Sequence, residues 1–131
     1  MSTIFSKIVR GEIPSYMIAE DDHYYAFLDI NPLTKGHTLV IPKQENDYIF
    51  DLEDDQLCGL TLFAKRVARA IEKAVDCKRV GVAVIGLEVP HVHIHLVPIV
   101  NEGDLNFSNP KLELASEEFA AIAKSISGNF K

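Results

Sequence analysis

His91-Val92-His93-Ile94-His95-Leu96-Val97-Pro98 alternates an imidazole with an aliphatic side chain up to Leu96. Successive side chains of a strand point to opposite faces. The run therefore predicts a strand with His91, His93 and His95 on one side and Val92, Ile94 and Leu96 on the other. Three of the chain's five histidines fall in these five positions. Strand propensity alone gives no reason to choose His three times on one face while the other stays aliphatic.

Two chemistries use such a row. Neutral imidazole is a common metal ligand, but three same-face residues of an extended strand spread over roughly 13 Å, and zinc needs each nitrogen at about 2.1 Å. Two of the three could bind, with a third ligand from elsewhere, and no clear third ligand stands out. Nucleophilic catalysis uses the spacing better. Phosphoryl or nucleotidyl transfer through a covalent intermediate needs an aimed lone pair together with groups that stabilise charge on the phosphate. An imidazole whose other nitrogen is held by a hydrogen bond supplies the first, and flanking imidazoles can supply the second.

Upstream, Ser15 to Glu20 and Tyr24 to Asp29 read as a hairpin about Asp21-Asp22. After the Asn31-Pro32 to Lys35-Gly36 turn, His37 to Ile41 reads as a third strand that stops at Pro42. From Glu53 to about Asp76, Leu57, Leu60, Ala64, Val67, Ile71 and Ala74/Val75 recur at spacings of three and four, which predicts one long amphipathic helix. Acidic Glu53, Asp54 and Asp55 open it and Arg66, Arg69 and Lys73 lie toward its end, as the helix dipole favours. Val80 to Ile85 and His91 to Val100 are two further strands. Ser116 is the expected N-cap of a short C-terminal helix with Phe119, Ile122 and Ile126 on one face. The elements together predict an α+β fold: a five-stranded antiparallel sheet with one long helix and a short C-terminal helix, in a single domain spanning residues 1–131.

The 131 residues, 47% hydrophobic and 24% charged, suit one self-sufficient core. A formal charge of −6 argues against nonspecific nucleic-acid binding, which depends on many Lys and Arg contacts to phosphate, while a small phosphorylated ligand needs only a few local donors. No apolar run is long enough to span a membrane and no signal-peptide stretch opens the chain, so the default location is the cytoplasm. Cys58 and Cys77, about 19 residues apart on or at the end of the long helix, stand roughly 28 Å apart and read as reduced thiols.

The sequence resembles the histidine-triad family, and within it the nucleoside phosphoramidase branch. The resemblance rests on the triad itself, on Ile4-Phe5-Ser6-Lys7-Ile8-Val9-Arg10-Gly11-Glu12-Ile13-Pro14, on Phe27-Leu28-Asp29-Ile30-Asn31-Pro32, and on Gly36-His37-Thr38-Leu39-Val40-Ile41-Pro42-Lys43. It covers roughly residues 3–100. It implies that His93 attacks the α-phosphorus of a nucleotide derivative to give a nucleotidyl-histidine, later resolved by water. It further implies that His95 contacts the phosphate oxygens, that the carbonyl of His91 holds the proton-bearing nitrogen of His93, and that His37 orients the triad. Asp29 would accept the ribose hydroxyls, and Ile4, Phe5, Ile8, Phe27 and Ile30 would wall the purine pocket. A homodimer with one continuous sheet and packed long helices is implied as well.

Two departures from the family pattern stand out. Positions where many members carry zinc-binding cysteines read Thr3 and Ser6, and the place after Pro42-Lys43 reads Gln44-Glu45-Asn46 where a histidine often follows, so no metal or other cofactor is expected. In the loop before the triad Gly86 is kept, but Leu87 replaces the usual Gln, no Asn is present, and Glu88 carries negative charge toward a site meant for an anion. The leading expectation is a hydrolase or transferase cleaving a nucleoside phosphoramidate, acyl nucleotide or dinucleoside polyphosphate. The alternatives are a noncatalytic purine nucleotide-binding or partner-docking module of the same fold, and a metal-binding protein.

Overall fold

The computed structural model describes residues 2–131. Five strands form one antiparallel sheet: β1 (Met17–Glu20), β2 (Tyr24–Leu28), β3 (Thr38–Pro42), β4 (Arg79–Ala83) and β5 (Ile94–Ile99), in the spatial order β1-β2-β3-β5-β4. Three helices accompany it: α1 (Ile4–Val9), α2 (Asp54–Ala74) and α3 (Ser116–Gly128). The predicted fold class is therefore the observed one.

The two faces of the sheet are packed differently. Helices α2 and α3 bury Leu60, Phe63, Val67, Ile71, Phe119 and Ile126 against Ala26, Leu28, Val40, Ile94 and Leu96. Each such large side chain contributes about 1.5–3 kcal/mol relative to exposure, so this face holds most of the stabilising apolar surface. On the other face α1 lays Phe5 and Ile8 over Tyr25, Phe27, Leu39 and Ile41. Strand β3, covered from both sides, is buried at every position, which explains why it reads as a continuous apolar run rather than an alternating one.

Helix α2 begins one residue after Glu53, whose backbone N–H is taken by the Gln56 side chain, an N-terminal capping contact. Its buried stripe adds Phe63 and Ala70 to the predicted positions and leaves Leu57 at the margin. Helix α3 begins at Ser116, so the N-cap is Ala115, one residue earlier than expected. Among the described residues no helix is long and apolar enough to cross a membrane. Cys58, exposed on α2, and Cys77, just past its end, are both free thiols.

The histidine run departs from the expected strand at its start. The ladder of β5 begins at Ile94, opposite Val40 of β3, and β4 stops at Ala83, opposite His95. Ahead of Ile94 the chain bonds to loops instead: Val92 N–H donates to Asn46 C=O and His91 N–H to Val89 C=O. The alternation survives the loss of the ladder, because Val92, Ile94 and Leu96 all enter the main core. The imidazoles are left on the α1 side, where Leu39 faces His95 across the strands.

Candidate active site

Three segments deliver the polar groups. Asp29 follows β2, His37 precedes β3, and the turn between them is closed by Asp29 N–H to His37 C=O at 3.0 Å and His37 N–H to Thr34 C=O at 3.1 Å. Gly36 makes this turn possible. Its φ is +94°, and a Cβ there would lie 3.0 Å from Val75 Cγ2 and 3.2 Å from Pro98 Cγ, so any other residue would be strained in conformation and crowded in space. The turn brings His37 to the triad, its ring 5.2 Å from that of His95, which in turn stands 5.0 Å from His93. His37, His91, His93 and His95 are all buried.

Hydrogen bonds fix which nitrogens carry protons. The Leu33 backbone N–H donates to His37 Nδ1 at 3.0 Å, so that nitrogen is an acceptor and the proton of a neutral ring sits on Nε2. His37 Nε2–H then donates to His95 Nδ1 at 3.0 Å, which leaves the His95 proton on its own Nε2. Both rings are neutral near pH 7. Burial lowers His37 to about 3, with repulsion from His95 and Lys111 adding to it, and burial followed by the neighbouring His93 lowers His95 to about 4. Asp29 Oδ2 stands 3.6 Å from His37 Nε2, but with His37 neutral this is no ion pair. The Asp29 carboxyl is itself raised by burial, against the opposing Asn31 N–H and the charges of His93 and Lys111.

Asp29, His37 and His95 are the one group, among the described residues, whose potential metal-ligand atoms lie within 4.8 Å of one another. The donor set does not suit a metal. His37 already spends its Nδ1 lone pair on Leu33 N–H, so coordination through Nε2 would require stripping its last proton and leaving a buried imidazolate.

His93 is held from one side only. Its Nδ1 lies 2.7 Å from the carbonyl of His91, and because a carbonyl can only accept, Nδ1 donates and a neutral ring keeps its lone pair on Nε2. His93 lines a cavity of about 380 Å³ with Asp47, Tyr48, Phe50, Ile85, Gly86 and Leu87. Phe5 packs edge-on to both His93 and His91, with ring centroids 5.0 and 5.7 Å away, and to Phe27 at 5.6 Å.

The other candidate positions divide into two groups. Phe5, Ile8 and Phe27 are buried in the small core under α1, whereas Ile4 and Ile30 expose 49% and 63% of their surface. Gly86 lies on the cavity wall, while Glu88 is exposed and outside the lining. Sequence reasoning missed Phe107, whose ring stands edge-on to His95 at 4.7 Å, and the cavity wall from Asp47 to Phe50. It also missed the contact of Thr3 Oγ1 with His91 Nδ1 at 2.8 Å. A single Phe inside the polar run Asn106-Phe107-Ser108-Asn109 was the one available signal for the first.

Comparison with known proteins supplies independent testimony. Residues 10–101 match the family model of the HIT domain. The adenosine 5'-monophosphoramidase of Schizosaccharomyces pombe is 36% identical over 133 residues, covering 100% of both chains. An uncharacterized HIT-like protein of Methanocaldococcus jannaschii is 42% identical over 105 residues, covering 77% of this chain and 81% of its own. The crystal structure of a Hit-like protein from Bartonella henselae superposes with a TM-score of 0.86 at 30% identity, covering 98% of this chain and 96% of that one. With a HIT domain matched over residues 10–101, a relative aligned over its full length and a solved structure of the same fold, the chain belongs to the histidine-triad (HIT) family.

Proposed function

We propose that this protein hydrolyses nucleoside 5'-phosphate derivatives, phosphoramidates foremost, through a nucleotidyl group carried on His93 Nε2. The observation that carries the reading is the 2.7 Å bond from His93 Nδ1–H to the His91 carbonyl, which leaves Nε2 as a nucleophile with a fixed aim. In the first half-reaction Nε2 bonds to the α-phosphorus while the P–N bond to the amine breaks. In the second, water attacks the same phosphorus and releases the nucleoside monophosphate and a free His93.

The His37–His95 pair acts as a fixed donor in this scheme. His95 Nε2–H offers a hydrogen bond to a phosphate oxygen, and it cannot surrender its proton, because the chain behind it ends on the Leu33 amide. The amine therefore leaves with a proton taken from solvent. Asp29 receives the ribose hydroxyls, and Ile4, Phe5, Ile8, Phe27 and Ile30 hold the purine. On the opposite side of His93 the leaving group meets Tyr48, Phe50, Ile85 and Leu87, a wall that suits an apolar amine better than ammonia, and Gly86 gives the backbone close approach. The kinship with an adenosine 5'-monophosphoramidase supports the phosphoramidate class.

A second reading, a nucleotide-binding module without turnover, is favoured by one feature: the loop Gly86-Leu87-Glu88 offers no side-chain donor to a phosphate. A homodimer completes the proposal. β4 is an edge strand, and Val82 on it and Leu62 on α2 are 61% and 62% exposed; a second copy pairing along that edge would cover both. A protomer mass by light scattering would exclude it.

Intact-protein mass spectrometry during turnover of an adenosine 5'-phosphoramidate is the test. Wild type gains a transient AMP adduct, and His93→Ala gains none and loses roughly 10⁴-fold or more in turnover. Saturable AMP binding with neither adduct nor turnover in wild type would replace the hydrolase by the binding module.

A further inference from the structure

His91 is the triad member with no assigned chemistry of its own beyond its backbone carbonyl, and its ring is wholly buried. Its Nε2 lies 2.8 Å from the Pro42 carbonyl, so Nε2 carries a proton in every state. Its Nδ1 lies 2.8 Å from Thr3 Oγ1. Thr3 Oγ1 stands 3.1 Å from Ser6 Oγ and accepts the Ser6 N–H at 3.0 Å. Ser6 Oγ donates to Glu45 Oε1, which also accepts the Thr3 N–H at 3.0 Å. The row runs unbroken from a buried ring to an exposed carboxylate.

The protons of this row can be placed in two ways. With Glu45 ionised, the Ser6 hydroxyl proton is committed to it. If His91 is neutral, Thr3 must donate to Nδ1, and then no proton lies between the Thr3 and Ser6 oxygens. If His91 is an imidazolium, Nδ1–H donates to Thr3, Thr3 donates to Ser6, Ser6 donates to Glu45, and every contact is filled. Gaining one proton at Nδ1 thus needs only one hydroxyl, that of Thr3, to rotate.

We propose that Thr3, Ser6 and Glu45 form a relay that lets His91 take up and hold a proton, with Glu45 as its counter-charge, and that these three are positioning residues for the chemistry at His93. The inference rests on the nucleotidyl-transfer reading only for its catalytic consequence. The positive ring lies one residue-pair from the nucleophile, on the carbonyl that aims it, and it brings charge of the right sign toward an anionic substrate. The groups facing His91 are Thr3, Phe5 and Ser6 from the α1 segment, Pro42 and Glu45 from the end of β3 and its loop, and His93 beside it. The His91 pKa lies below the ordinary imidazole value overall: burial lowers it most and His93 adds to that, while the Pro42 carbonyl and Glu45 oppose the shift and hold it higher than burial alone would leave it. The Glu45 carboxyl is held below its ordinary value chiefly by the Ser6 hydroxyl and then by the Thr3 N–H, which favours its ionised form as the counter-charge.

The test is a pH titration of the His91 ring nitrogens by ¹⁵N NMR on substrate-free protein, in wild type, Glu45→Gln, Ser6→Ala and Thr3→Ser. Glu45→Gln keeps an oxygen that accepts both hydrogen bonds and removes only the charge. It should move the His91 midpoint down by roughly half a unit to one unit, less at high salt because Glu45 is exposed, with the acid limb of the pH–rate profile following. Ser6→Ala interrupts the row without touching the carboxylate, should move the midpoint the same way, and decides the matter if Glu45→Gln does not fold. Thr3→Ser, which retains the hydroxyl, should titrate like wild type. An unmoved His91 midpoint in a folded Glu45→Gln or Ser6→Ala protein would reduce the row to a mechanical tie and overturn the relay. Because the midpoint is read without substrate, that failure is distinct from failure of the covalent mechanism.

Discussion

The two ends of the histidine row are built on opposite plans. At the His95 end, two buried rings hand a hydrogen bond from the Leu33 amide to the site, and neither ring changes its proton count near pH 7. At the His91 end, two hydroxyls connect a buried ring to a carboxylate at the surface. A donor that must stay put is best anchored on backbone, whose N–H never titrates. A ring whose charge is to vary needs rotatable hydroxyls and a counter-charge.

The contrast is broken most forcefully at His37. Replacing it by Leu leaves the Leu33 N–H without its acceptor and frees His95 to adopt either tautomer. We expect a loss of about 1–3 kcal/mol in stability and roughly a tenfold to hundredfold fall in kcat, with the pH at which His91 titrates unchanged. Denaturant unfolding, steady-state kinetics and the ¹⁵N titration together check this. A His37→Leu protein whose His91 midpoint shifts as far as that of Glu45→Gln would mean that the two ends are not independent.

A second effect separates the ends by pH. His37 is lowered to about 3 and His95 to about 4, against an unfolded value near 6.5. Between those limits the unfolded chain binds protons that the native one refuses, so stability rises with pH across this window and falls on acidification below about 6.5. The loss levels off once the native rings protonate. Each ring contributes up to about 1.4 kcal/mol per pH unit. Asp29, raised by burial, acts in the opposite sense at the acid end. Urea unfolding at pH 7 and pH 5 should show a clear drop in wild type and a smaller drop in His37→Leu, in which His95 and His91, also lowered by burial, still contribute. An equal drop in the two proteins would assign the acid sensitivity elsewhere.

Much of this was legible in the sequence. The run His91 to Leu96 placed its imidazoles and aliphatics on the correct sides because side-chain alternation follows from an extended chain, whether or not a ladder forms. The start of β5 was not legible, because it depends on where β3 and β4 end. The 3.6-residue spacing marked α2, whereas α1, six residues long, is too short to show a period. Phe107 and the wall from Asp47 to Phe50 reach the site through loops, whose course no local pattern records. The Thr3, Ser6 and Glu45 row was hidden for another reason: the Thr3–Ser6 pair lies 39 residues from Glu45 and 88 from His91 at its two long-range contacts, and only the fold brings these segments together.

The finest effect concerns Thr3, which serves two structures at once. Its hydroxyl caps α1 by accepting the Ser6 N–H and meets His91 from the same oxygen. A helix of one and a half turns does not form on its own, since nucleation fixes several residues for a single hydrogen bond, so α1 depends on this cap and on Phe5 and Ile8 beneath it. Thr3→Val keeps the shape and removes the oxygen, and should cost about 1 kcal/mol, in the range of a lost N-cap. Thr3→Ser should stay within about 0.5 kcal/mol of wild type. Thermal melts of the two variants decide it. If valine is tolerated as well as serine, packing of Phe5 and Ile8 alone holds the helix, and the Thr3 hydroxyl is left with His91 as its only purpose.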